Sequence, residues 1–193
     1  MNRKILSSLS LFLIGFLTFS SSVWCGEMQT ITLGGKPLTL MGEKLQTGKM
    51  LPTVLLPDLG LNMVDLQSFK GKVTLLSVVP SLDTPTCDKQ THILSEENKG
   101  LDKIANLITI SRDLPFAQKR FATKTKMQNI TFLSDYRDAQ FGKSTGLLIE
   151  ENRLLARAII ILDPEGTVRY LEIVSELSKL PDMEKAMEFA RSL

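Results

Sequence analysis

Three runs of apolar residues constrain the fold of this chain more than any other feature. "KVTLLSVV" (Lys72 to Val79) is continuously apolar, as in a strand buried on both faces. "NLITIS" (Asn106 to Ser111) reads as a second buried strand, and "RAIIILD" (Arg157 to Asp163) as a third. A helix is predicted from about Thr86 to Lys99. Another starts at Leu114, with Asp113 as its cap and Pro115 tolerated in the first turn. "NITFLS" (Asn129 to Ser134) gives a short strand and "RDAQFGKS" (Arg137 to Ser144) a short helix. "DPEG" is a turn joining the third run to "TVRYLEIV" as a hairpin. In the last segment, Met183, Ala186, Met187 and Ala190 recur at helical spacing.

Buried strands linked by crossover helices give an α/β fold with parallel pairs, and the late hairpin adds an antiparallel part. Near the start, "QTITLGGKPLTL" (Gln29 to Leu40) reads as a β-hairpin turning at Gly34-Gly35. Residues 41–52 form a connecting loop, followed by two short strands around a turn. The expectation is one domain over residues 26–193, a mixed central sheet flanked by helices and preceded by the hairpin.

Residues 1–25 are set apart. "MNRK" is a basic start, "ILSSLSLFLIGFLTF" an apolar stretch shorter than a membrane span, and "SSSVWCGE" a small, polar exit. This predicts a signal peptide and an exported protein; a buried helix of the mature domain is the alternative. Cleavage before Val23 or Gly26 fits the small-residue rule, and lipid attachment at Cys25 is a third outcome, against which Trp24 argues. Removing Arg3 and Lys4 leaves 21 of the 23 basic residues against 21 acidic ones. A formally neutral domain argues against nucleic acid or an acidic membrane as general partner.

The chain has two cysteines, Cys25 and Cys87. Cys87 follows Pro80 and "SLDTPT" at the junction between the first buried strand and its helix. Chemistry in open α/β sheets gathers at that end of a strand, and the helix N-terminus favours a thiolate. Pro80 and Pro85 fix the backbone of the approach. Thr84 stands three residues before Cys87, where its hydroxyl can share a face with the sulfur. A capping Thr84 beside an inert, buried Cys87 is the other reading of the same residues.

"PSLDTPTC" carries the spacing Pro-x-x-x-Thr-x-x-Cys and resembles the peroxidatic motif of the peroxiredoxins. "SRDLPFAQKRF" (Ser111 to Phe121), "LSDYRDAQFG", "LLARAIIILD" and the N-terminal hairpin are similar to the bacterial thiol peroxidase branch, in the same order. The resemblance implies a thioredoxin-like fold, reduction of hydroperoxides, a thiol reductant, and often a homodimer. It implies Cys87 as peroxidatic residue, Pro80 and Thr84 as shapers of its pocket, and Arg157 as the pocket arginine. Arg157 opens "AIIIL", and an arginine beside so apolar a strand either finds a partner or is exposed at the strand end. Near Cys87 it would favour the thiolate and orient the peroxide. The implied mechanism needs no metal and no organic cofactor, and leaves Cys87 as a sulfenic acid.

The chain departs from that branch at one place. There a resolving cysteine usually follows the Arg-Phe of the second motif; here Arg120-Phe121 is followed by Ala122. The sulfenic acid must then be reduced by an external thiol, or by Cys25 if it is retained, or turnover has been lost and the fold serves as a sensing or binding module. His92, five residues beyond Cys87, points roughly 140° away on a helix, which argues against a Cys–His pair and for an exposed helical histidine. One histidine and two cysteines offer no zinc set, and neither Cys-x-x-Cys nor a phosphate loop occurs. Phe116 and Phe121 fit a pocket mouth, a dimer face or simple packing, and Arg137 is a further candidate for a charge near the site.

Overall fold

The computed structural model describes residues 29–193. The signal-peptide expectation and the fate of Cys25 lie outside those residues. Strands are β1 (Thr30–Leu33), β2 (Lys36–Met41), β3 (Leu55–Pro57), β4 (Met63–Asp65), β5 (Thr74–Val78), β6 (Asn106–Ser111), β7 (Thr131–Ser134), β8 (Leu148–Ile149), β9 (Ala158–Leu162) and β10 (Val168–Ile173). Helices are α1 (Pro85–Glu96), α2 (Pro115–Thr125), α3 (Gln140–Thr145) and α4 (Met183–Arg191).

The three apolar runs become the middle of a five-stranded sheet of order β10-β9-β5-β6-β7. β5, β6 and β7 run parallel, joined by α1 and α2 as crossovers, while β9 pairs antiparallel to both β5 and β10. The mixed sheet expected from the sequence is therefore present. Every residue of β5 and β9 is buried, because side chains alternate between two cores. Leu75, Val79, Ile159 and Ile161 face one core, which α1, α2 and α4 complete through Cys87, Leu94, Ala122 and Met187. Leu76, Val78, Ala158 and Ile160 face the other, closed by Ile31, Leu40, Leu56 and Phe141.

The β1–β2 hairpin turns at Gly34-Gly35, whose φ values of 58° and 78° suit a two-residue turn that glycine enters freely. β2 also pairs with β8, a two-residue strand too short to show any period in the sequence.

Several boundaries differ from expectation for local reasons. α1 stops at Glu96 rather than Lys99: the Asn98 amide donates to the Ser95 carbonyl at 2.7 Å, and Lys99 and Gly100 adopt positive φ. α2 starts at Pro115 with Leu114 as N-cap, since the residue before proline is held extended. Asp113 is accordingly no helix cap, and its carboxylate is used elsewhere. α3 begins only at Gln140, after Ala139 turns through a left-handed conformation.

Candidate active site

The end of β5 and the start of α1 place Cys87 where the sequence predicts it. Cys87 is the third residue of α1 and is fully buried, and it is the free cysteine among the described residues. The first helical bond here runs from the Asp88 N–H to the Thr84 carbonyl at 2.9 Å, so the N–H groups ahead of it have no intrahelical acceptor. They direct positive partial charge at the sulfur's surroundings.

Arg157 reaches Cys87 because of strand alternation. It precedes β9 by one residue and so shares a face with Ile159 and Ile161, the face on which α1 lies. Arg157 is 2% exposed, and its guanidinium makes three hydrogen bonds. Nη2 meets Cys87 Sγ at 3.4 Å, Nη1 donates to Gln90 Oε1 at 2.7 Å, and Nε donates to the Leu177 carbonyl at 3.0 Å. No carboxylate pairs with it among the described residues. A buried cation without a counter-ion is costly, and here the one group positioned to become its counter-ion is the sulfur. The exposed strand-end alternative for Arg157 is thereby excluded.

Gln90 was not singled out by the sequence. It lies three residues beyond Cys87 on the same helical face, is fully buried, and donates through Nε2 to Ser77 Oγ at 2.8 Å. The chain Ser77–Gln90–Arg157–Cys87 thus runs from the centre of β5 to the thiol. A polar residue repeating the register of a buried cysteine is the signal that could have found it.

The approach loop is held by Asp113. Its carboxylate accepts from Ser81 Oγ at 2.7 Å, from the Leu82 N–H at 2.8 Å and from Ser111 Oγ at 2.8 Å. It ties the end of β6 to the turn that delivers Cys87. Pro80 is buried within that turn. Thr84 is the N-cap residue of α1 but makes no side-chain cap bond; its hydroxyl donates to the Ser81 carbonyl at 3.1 Å. The structure therefore brings Cys87 and Arg157 into contact, sets Pro80 and Thr84 in the turn above them, and leaves the Thr84 hydroxyl bonded to backbone.

A cleft of about 950 Å³ opens between α1 and α2, lined by Leu82, Thr84, Asp88, His92, Arg120 and Phe121 among others. Cys87 is not among the residues that line it. His92 is half-buried between Glu96 at 2.7 Å and Asp88 at 3.6 Å and has no contact with the sulfur. Phe121 packs edge-on against Phe132, whereas Phe116 is 56% exposed. Arg137 borders a different, smaller cavity near Met63 and Gln140, away from Cys87. Ala122, where a resolving cysteine would stand, is buried in the same core as Cys87. No cluster of histidine, cysteine and carboxylate side chains suited to a metal ion occurs among the described residues.

Comparison with known proteins identifies the family and the fold. The Redoxin family model matches residues 46–187. A protein named thiol peroxidase from Halalkalibacterium halodurans is 47% identical over 167 residues, covering 86% of this chain and 99% of that protein. One of the same name from Staphylococcus saprophyticus is 44% identical over 166 residues, covering 86% and 100%. A peroxiredoxin-like protein from Aquifex aeolicus superposes with a TM-score of 0.80 at 34% identity, covering 86% and 99%. The resemblance to the thioredoxin-like peroxiredoxin fold thus holds across the described domain. With family model, relatives and fold in agreement, the chain belongs to the Redoxin family and, within it, to the peroxiredoxin-type thiol peroxidases.

Proposed function

We propose that this chain reduces hydroperoxides through Cys87 as the peroxidatic thiolate. The observation that carries the reading is the buried Arg157 guanidinium, 3.4 Å from the sulfur and without a carboxylate partner. The thiolate attacks the terminal oxygen of R–O–O–H, an S–O bond forms, the O–O bond breaks, and RO⁻ leaves and takes up a proton. Negative charge moves from sulfur to oxygen, and Arg157 with the free N–H groups of the first helical turn can follow it. Pro80 and Thr84 shape the pocket through the turn they occupy.

Cys87 is left as a sulfenic acid. With Ala122 in place of a resolving cysteine, the proposed route is external. One thiol, R′SH, condenses with the sulfenic acid to give a mixed disulfide and water; a second R′SH displaces the Cys87 thiol and leaves R′–S–S–R′. Residues 1–25 act as a signal peptide in this reading, so the protein works outside the cytoplasm, with Cys25 removed or, in the second outcome, lipidated. The functional unit is a homodimer, as the family resemblance implies.

The deciding experiment mixes the reduced mature domain with hydrogen peroxide and then with an organic hydroperoxide, following thiol loss by stopped flow and product by intact mass. Oxidation orders of magnitude faster than free cysteine, giving a sulfenic acid and abolished in Cys87→Ser, is expected. A rate like that of free cysteine would refute the peroxidatic role. Ala122 favours one second reading, a sensing or binding module. Rapid oxidation without sustained turnover by any thiol, thioredoxin included, would select it.

A further inference from the structure

The carbonyl that orients Arg157 belongs to a segment held from the far side by the N-terminal hairpin. The Glu176 carboxylate accepts hydrogen bonds from Thr32 Oγ1 at 2.8 Å, the Gly34 N–H at 3.0 Å, the Gly35 N–H at 3.3 Å, the Ser178 N–H at 3.2 Å and Ser178 Oγ at 2.7 Å. On either side the backbone is paired with β1: the Thr32 N–H donates to the Ser175 carbonyl, and the Leu177 N–H to the Thr32 carbonyl, each at 2.7 Å. The opposite edge of the same segment touches both halves of the active site. The Leu177 carbonyl accepts from Arg157 Nε at 3.0 Å, and the Ser178 carbonyl accepts from the hydroxyl of Thr86, the residue before Cys87, at 3.3 Å.

We propose that Glu176 is a positioning residue for the peroxide-reducing site, holding the Leu177 and Ser178 carbonyls where they orient the Arg157 guanidinium and the first turn of α1. The inference rests on the reading of Arg157 as the partner of the Cys87 thiolate. A guanidinium is planar, so the bond at Nε sets the rotation of the plate that carries Nη2. If the Leu177 carbonyl moves, Nη2 leaves the sulfur. An ionised carboxylate only accepts hydrogen bonds, and Glu176 meets three backbone N–H groups, which can only donate, and two hydroxyls that donate to it. Those hydrogen bonds, first that from Ser178, hold its pKa down to about 2, so the carboxylate form prevails at working pH. Glu176→Gln would turn an amide donor toward these donors.

The test measures peroxide oxidation of Cys87 in the wild type, Glu176→Ala, Arg157→Ala and the double variant, together with the pH dependence of thiol alkylation by iodoacetamide. Glu176→Ala is expected to slow oxidation about 10-fold, below the ~100-fold that a 1 Å misplacement can cost. It also shifts the alkylation profile of the folded protein to higher pH, which a purely structural role would not do. In the Arg157→Ala background the same change should have no further effect on rate. An unchanged rate and profile in Glu176→Ala, with Arg157→Ala still slow, overturns the positioning role alone. An unchanged rate in Arg157→Ala overturns the reading of Arg157 and the inference with it. If Glu176→Ala does not fold, Glu176→Gln and Ser178→Ala carry the same comparison.

Discussion

Replacing Gln90 by leucine tests the polar chain under Cys87. The side chains are similar in size, so the change removes hydrogen bonds while opening little space. Two bonds are lost, that from Arg157 Nη1 at 2.7 Å and that to Ser77 Oγ at 2.8 Å. The first involves a charged donor and contributes about 1.5–3 kcal/mol; the second is neutral and contributes about 0.5–1.5 kcal/mol. Leucine returns some apolar burial, so the net loss should be roughly 2–4 kcal/mol. At a typical urea dependence this lowers the unfolding midpoint by roughly 1–2 M, measured by far-ultraviolet circular dichroism. The freed guanidinium retains only its bonds to Leu177 and Cys87, and stopped-flow oxidation of the thiol should slow about 10-fold, as when an outer partner of a reactive group is removed. A midpoint shift of less than about 0.3 M, with the oxidation rate intact, would show that Gln90 is packing rather than support, and the argument from the hydrogen-bond chain would fail.

Asp113→Ala removes three hydrogen bonds from the approach loop and should cost about 2–4 kcal/mol in urea denaturation while slowing Cys87 oxidation; stability loss without a kinetic effect would mean the loop does not need this tie. The Glu176 contact has a defined pH window: with a folded pKa of about 2 against an ordinary 4.5, its contribution is fully present above pH 4.5 and is lost as pH falls through about 2. Hydrogen exchange at Gly34 and Gly35 should therefore stay protected at pH 4, and loss of protection by that pH would contradict the contact. Ala122→Cys supplies the thiol at the position used in the family, so one equivalent of peroxide should yield an intramolecular disulfide; a persistent sulfenic acid in the intact mass would show that the two positions cannot meet.

Much of this was legible because it follows from short-range rules. Continuous apolar runs announced the doubly covered strands, and Gly34-Gly35 announced the hairpin. A cysteine at the strand-to-helix junction marked the site, and an arginine opening "AIIIL" supplied its partner. What stayed hidden depends on contacts with no local signature. The Leu177 acceptor is a backbone carbonyl, which any residue would provide. Asp113 stands before a proline-started helix and fits a cap as well as a loop tie; only the extended Leu114 decides between them. The Thr84 hydroxyl has the right spacing to face the sulfur, yet the turn offers it the Ser81 carbonyl instead. Glu176 sits in "SELS", a polar stretch that reads as a solvated turn until the hairpin is docked on it.

The position of β9 has a consequence for how the site comes into being. This central strand is among the last parts of the chain to be made, yet it pairs with β5, and Arg157 meets a cysteine 70 residues upstream. Glu176 closes a contact with Thr32 across 144 residues. Such non-local pairings pay loop-closure entropy before they return any stabilisation, so they form late in folding. Until then Cys87 has no guanidinium beside it. A nascent or truncated chain ending before β9 carries the whole "PSLDTPTC" motif without the guanidinium on which the proposed reactivity rests. In the proposed mechanism, the docking of β9 beside β5 is what arms the cysteine.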